Sequence, residues 1–155
     1  MMSSVVASLT LAMGLWQAIP ASRPDFSGSW AMDPSRSQSS ESTSLTITQS
    51  ATAITIETQT GGKTTTRTFA FEASKHPASE TISAGHKHAS WDGTILVSED
   101  VGEISGQTVS YRQLRYLNGP GTEMTVESVT IVQHGYSMQG GKNYKTTKDV
   151  YVRAK

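Results

Sequence analysis

Asp25-Phe26-Ser27-Gly28-Ser29-Trp30 is the stretch from which the fold can be read. Gly28 has no Cβ and permits close approach of another part of the chain. Trp30 is large enough to plug one end of a small barrel, provided its indole N–H finds an acceptor. Ser27 to Met32 therefore reads as the first strand of an all-β domain, and the motif reads as structural rather than reactive.

Upstream of it lies an apolar run from Val5 to Ile19, followed by Pro20-Ala21-Ser22. This has the form of a secretory leader with a small-residue cleavage site after Ala21 or Ser22. The expected organisation is a signal peptide over residues 1–21 and one domain over residues 22–155. The run is too short and too interrupted for a membrane span, so no stable membrane insertion is expected after cleavage. No Lys or Arg precedes Arg23, which leaves an uncleaved anchor helix or a mis-assigned start as the alternatives. On the leader reading the protein is exported, to the periplasm or beyond the cell.

A chain of 155 residues suffices for one domain and hardly for two. Its 13 basic and 13 acidic residues cancel and are scattered singly. Nothing in that balance attracts nucleic acid or anionic lipid. There is no cysteine, which excludes disulfides, thiolate metal sites, iron–sulfur clusters, a cysteine nucleophile and a lipidated N-terminal cysteine. No cofactor is indicated, and the oligomeric state is left open.

Downstream, the pattern is alternation with period two, rich in Thr, Val, Ile and Tyr, and broken by glycine-containing turns. Asp33 to Ser42 is a polar loop. Leu45 and Ile47 mark one strand, and Ile54 and Ile56 the next. Gly61-Gly62 signals a tight hairpin before a strand from Thr64 to Phe71. Glu72 to Glu80 contains Pro77 and reads as a loop, and Thr81 to Trp91 as a strand with a kink at Gly85. Asp92-Gly93 suits the centre of a type I′ turn, in which both central residues have positive φ. Ile95 to Glu99 returns, Gly102 to Gly106 connects, and Gln107 to Leu117 is a long strand. Asn118-Gly119-Pro120-Gly121 turns the chain. Met124 and Val126 share one parity and Val129 and Ile131 the other, which predicts a bulge near Ser128 or a strand buried on both faces. Gly135 and Gly140-Gly141 bracket the last connection, and Tyr144 to Arg153 closes the chain.

Eight or nine short strands with hairpin-length connections should pair antiparallel with their sequence neighbours. An up-and-down β-barrel removes the open edges of such a meander. A β-sandwich is the alternative, since strand count and alternation do not separate the two.

Phe26-Ser27-Gly28-Ser29-Trp30-Ala31-Met32-Asp33 resembles the opening Phe-x-Gly-x-Trp strand of the calycins, the superfamily of lipocalins and fatty-acid-binding proteins. It is similar above all to small exported bacterial lipocalin-like proteins, which carry a mid-chain Trp-Asp-Gly turn before an apolar strand. Trp91-Asp92-Gly93 with Leu96-Val97 matches that second feature. The resemblance implies a lipocalin-like barrel in which a basic residue of the last strand packs across the early tryptophan, and Arg153 stands where that residue would be. Ala31-Met32 departs from the usual basic–apolar pair. The expected structural residues are thus Gly28, Trp30, Trp91, Asp92, Gly93 and Arg153.

The same resemblance implies a small hydrophobic ligand in the cavity. The inward set is expected to include Phe69, Phe71, Tyr111, Met124 and Val126. A filled barrel serving as a structural or interaction module of the cell envelope is the alternative, and an enzyme using the cavity is a third. The enzyme reading has little to stand on: Gly-x-Ser-x-Gly, His-Glu-x-x-His and Gly-x-Gly-x-x-Gly are all absent, and no catalytic residue is assigned. Tyr111, Arg112, Arg115 and Tyr116 could furnish a polar interior or an exposed ladder.

His86-Lys87-His88 puts two imidazoles on one face of a strand, a workable metal-ligand spacing. His76 precedes it and His134 lies on another element. No acid within the stretch completes a ligand set, so His86 and His88 are candidate ligands only, and surface histidines are the expectation. Glu99, Asp100 and Glu103 lack the register of a calcium loop and read as solvated loop charges.

Overall fold

Alternating β-branched residues and short turns build nine strands among the described residues. They are β1 (Gly28–Met32), β2 (Thr43–Gln49), β3 (Ala53–Thr60), β4 (Lys63–Phe71), β5 (Lys87–Asp92), β6 (Ile95–Ile104), β7 (Gln107–Leu117), β8 (Glu123–Gln133) and β9 (Tyr144–Arg153). The computed structural model describes residues 23–72, 85–133 and 143–155, and among these there is no helix. The leader, Pro77, His76, the stretch 81–84, His134, Gly135 and Gly140-Gly141 lie outside the described residues.

The strands form one closed barrel in sequence order. Closure comes from β1, which pairs with β2 on one side and with β9 on the other, Trp30 standing opposite Arg153. The sandwich alternative is thereby excluded. Neighbours are antiparallel all round the ring except β4 and β5, which run parallel. This corrects the expectation of purely antiparallel pairing, and the reason is one of parity. A closed ring whose neighbours all alternate in direction needs an even number of strands. With nine, one pair must run the same way. Residues 72–86 make the parallel connection, which needs about a dozen residues or more.

The turns differ in detail from the sequence reading. Asp92 pairs with Ile95, so the two central residues of that hairpin are Gly93 and Thr94, and of these Gly93 has positive φ, 63°. That is the pattern of a type II′ turn, with glycine first, and not the expected type I′ turn centred on Asp92-Gly93. Strand β6 continues through Gly102 to Ile104, and the connection shrinks to Ser105-Gly106. Glu99, Asp100 and Glu103 are therefore strand residues. Glu99 accepts a hydrogen bond from Ser110 Oγ at 2.7 Å, and Asp100 lies between Arg67 at 3.6 Å and Lys87 at 3.8 Å. Strand β8 keeps an unbroken register with both neighbours, so no bulge occurs near Ser128. Its buried row runs Met124, Val126, Ser128. The inner face turns polar partway along the strand, and Val129 and Ile131 belong to the half-buried outer wall.

The apolar core fills the end of the barrel that carries the Gly93-Thr94 and Asn118–Thr122 turns. It comprises Phe26, Trp30, Ile47, Ile54, Phe69, Leu96 and Met124 among others, all buried. Each large apolar side chain so buried contributes about 1.5–3 kcal/mol. The opposite end, which carries Gly61-Gly62 and Ser105-Gly106, is lined by polar side chains.

Candidate polar cavity of the barrel

Inward positions at the polar end surround a cavity of about 180 Å³. Arg115 forms its floor. Strand β7 presents Tyr111, Gln113 and Arg115 inward in alternation, opposite Asp100, Ser98 and Leu96 of β6. The side chain of Arg115 is 1% exposed. Its Nη1 donates to Ser98 Oγ at 2.7 Å and its Nη2 to Gln113 Oε1. Nε has no hydrogen-bond partner, and no carboxylate of the described residues pairs with the guanidinium. Burial pulls its pKa down to about 10, which leaves it charged at neutral pH. A buried charge without a counter-ion costs on the order of several kcal/mol.

Neutral groups of the lining hold that cation in place. Gln113 Nε2 donates to Tyr111 Oη at 2.8 Å and to Ser128 Oγ at 3.0 Å, which fixes its carbonyl toward Arg115. Arg67 also lines the cavity, its guanidinium 5.7 Å from the centroid of Tyr111. Asp149, the lining carboxylate, is committed elsewhere. It accepts from Gln38 N at 3.0 Å, Ser39 N at 2.8 Å and Ser39 Oγ at 2.6 Å, tying the loop after β1 across the mouth. Burial, and then the nearby Asp149 charge, push the Tyr151 phenol up to about 12. A wider vestibule of about 390 Å³ adjoins the cavity and shares Ser39, Thr43, Thr60 and Thr147 with it.

The five residues expected to line a cavity divide by depth. Tyr111 and Val126 line it. Phe69 and Met124 lie in the packed core, and Phe71 packs against that core, its ring 5.7 Å from Trp91. Parity places a side chain inside the barrel, but depth along the axis is invisible to periodicity. Sequence pattern alone does not place Arg115 in the interior or on the surface. The available signal was its shared parity with Tyr111 and Gln113. Arg112, of opposite parity, is exposed, and Tyr116 reaches Glu127 on the outer wall at 3.2 Å.

At the closed end, the guanidinium of Arg153 lies 4.2 Å from the centroid of Trp30. It also donates to backbone carbonyls of Ser27 and Gly121. Trp30 Nε1 donates to Phe26 O at 3.0 Å. Gly28 has φ 129°, and a Cβ there would meet Arg153 Nη1 at 2.7 Å. Trp91 stacks on Phe71 and meets Phe26 at a tilt of 44°, with Arg23 5.6 Å from its centroid. None of these groups reaches the cavity.

The two histidines lie on the outer wall, where the sequence reading expected exposed side chains. Their rings are 4.9 Å apart, centroid to centroid. His88 is buried, at 4% exposure, and His86 is half-buried. Glu72, just past β4, brings a carboxylate oxygen 3.2 Å from His86 Nε2, and Glu99 brings one 3.9 Å from His88 Nε2. The acid missing from the local sequence arrives from the residue just past β4 and from β6.

No protein-family model matches the chain, and no curated protein matches it. Among solved structures, the chain is similar to the crystal structure of a point mutant of the fluorescent protein UnaG. The TM-score is 0.50 at 16% identity, covering 84% of this chain and 96% of that one. Wild-type UnaG gives 0.49 at 15%, covering 83% and 97%. A fatty acid transporter designated REP1-NXSQ gives 0.42 at 12%, covering 83% and 96%. At such identity the first of these shows the fold alone, a closed β-barrel.

Proposed function

We propose that this protein is a small-molecule-binding barrel whose ligand carries an anionic group, received by Arg115 in the polar cavity. The observation that carries the reading is a fully buried guanidinium with hydroxyl and amide partners and no counter-ion among the described residues. An anion entering the cavity would offset the cost of that charge. The inner chamber suits a head group, and the vestibule has room for the remainder. The hydrophobic part of the ligand implied by the calycin resemblance would rest on Leu45, Val126 and the Tyr151 ring, so the ligand is amphipathic rather than wholly apolar.

Thermal unfolding tests this in the presence of small and long-chain carboxylates, with chloride at matched ionic strength as control. A ligand that binds the native state must raise the melting temperature. A rise with a carboxylate that vanishes in Arg115→Met supports the reading. No rise with any member of the panel at millimolar concentration rejects it.

We further propose that the protein is exported and, following the resemblance, bacterial. The apolar run Val5 to Ile19 before Pro20-Ala21-Ser22 supports export. N-terminal sequencing of the secreted or periplasmic fraction should begin at residue 22 or 23. A chain retained in the cytoplasm with Met1 in place rejects it.

A further inference from the structure

We propose that Glu72, His86 and His88 form a binding site for a divalent transition-metal ion, zinc by donor type, on the outer wall of the barrel. Each residue offers one ligand atom, and these atoms all lie within 4.8 Å of one another. Tetrahedral zinc takes imidazole nitrogen at about 2.0–2.1 Å and carboxylate oxygen at about 2.0–2.2 Å. Ligands in contact with one ion therefore stand somewhat closer together than these do, and small side-chain rotations close the difference. Two imidazoles and one carboxylate form a three-ligand set that leaves a fourth position for water.

The site is a product of the fold. His86 and His88 share a face because side chains alternate along an extended chain. Glu72 belongs to that same outer face, because Ala70 pairs with His88 and Phe71 with Ala89 in the parallel ladder. Glu72 N also donates to Ala89 O at 2.9 Å, which holds its backbone against β5. On the far side, Glu99 pairs with His88 across the β5–β6 ladder. Its carboxylate is fixed by Ser110 Oγ and lies 3.9 Å from His88 Nε2. A ligating imidazole commonly donates its other nitrogen to such a carboxylate, which orients the ring and raises its basicity. Two carboxylates beside two imidazoles favour a cation. The nearest outward cation across β6 is Arg112, which pairs in register with Glu99.

The position also suggests what the ion does. The β4–β5 seam has two paired positions, fewer than any other seam among the described residues. Glu72 and His86 stand at the two ends of the connection between these strands. An ion held by Glu72 on one side and by both histidines on the other would staple the seam at its shortest ladder.

Zinc titration of the full-length protein by calorimetry, after stripping with chelator, tests the site. One ion per chain is expected, with a rise in melting temperature that chelator reverses. His88 is buried, so its replacement could disturb folding, and the half-exposed Glu72→Gln and His86→Asn are the informative variants. Each should weaken zinc binding by about tenfold or more, as should the orienting change Glu99→Gln. Cobalt substituted for zinc should give the visible bands of a four- or five-coordinate nitrogen–oxygen site, absent in Glu72→Gln. Arg115→Met should bind zinc as the parent does, which separates this site from the cavity. The absence of binding heat overturns the proposal and leaves Glu72 and His86 as an ion pair alone. Binding that survives unchanged in both Glu72→Gln and His86→Asn, with the ion held by His76 or His134 instead, also overturns it.

Discussion

Nη1 of Arg153 occupies the space that a side chain on Gly28 would need, 2.7 Å from the site of its Cβ. The last strand and the first are thus fitted together through a missing side chain, at the register where Trp30 faces Arg153. Gly28 also has φ 129°, which side-chain-bearing residues rarely adopt. Gly28→Ala should therefore cost about 2–4 kcal/mol, from backbone strain and overlap together. In an Arg153→Ala background the overlap is gone and the strain remains, so the cost should fall. Urea unfolding of the four proteins in the cycle measures the difference. An equal cost in both backgrounds would show that the close approach is energetically irrelevant.

Trp30 anchors the same junction. Its ring is buried, its N–H is satisfied by Phe26 O, and the Arg153 guanidinium covers it. The cation–π contact itself contributes about 0.5–2 kcal/mol. Trp30→Ala should destabilise by about 3–5 kcal/mol. Ligand affinity should be unchanged under conditions where the variant is folded, because Trp30 does not line the cavity. Loss of affinity at full folding would contradict a purely structural role.

Arg115 predicts the reverse trade. Its charge is buried without a counter-ion among the described residues, so an apolar replacement of similar length removes a desolvation cost. Arg115→Met should be as stable as the parent, or more stable by about 1–4 kcal/mol, while losing any stabilisation by anions. Chemical denaturation with and without the carboxylates checks both halves. A marked loss of stability would mean that its bonds to Ser98 and Gln113 outweigh the cost of burial.

Asp33 sets an acid limit on the loop after β1. Hydrogen bonds from Ser35, and then the Arg36 guanidinium, hold its carboxyl down at about 2. Arg36 reaches on to Glu123 at 2.7 Å, joining the loop to the start of β8. The folded pKa lies below the unfolded one, so the folded state binds the proton less tightly. The stabilising contribution is complete above the unfolded carboxylate value of about 4 and is lost as pH falls to about 2. The stability difference between the parent and Asp33→Asn should be flat above about pH 4 and shrink below it. A difference independent of pH down to 2 would rule this linkage out.

Much of the strand plan is legible along the chain, since alternation at Leu45–Ile47, Ile54–Ile56 and Tyr111–Gln113 marks an inner and an outer face. The turn at Trp91-Asp92-Gly93 shows the limit of such reading. An Asp-Gly pair signals a tight hairpin, but the cross-strand pair Asp92–Ile95 decides which two residues occupy its centre. The site divides the same way. Tyr111 and Val126 belong to the cavity, whereas Phe69 and Met124, equally inward, belong to the core. Hydrophobic pattern reports which face a side chain takes and carries no measure of depth along a barrel axis.

An all-β chain of short neighbouring strands, opening on a glycine and a tryptophan and carrying an arginine in its last strand, is legible along the chain, because alternation and turn chemistry are local. The parallel seam follows from the closed fold, since the direction in which a ring of nine strands closes is a property of the whole ring. The fold likewise sets Arg115 beneath a polar cavity with no carboxylate partner among the described residues, and brings Glu72 and Glu99 to His86 and His88. Each of these meetings joins residues far apart in the chain, and the register between strands brings them into contact.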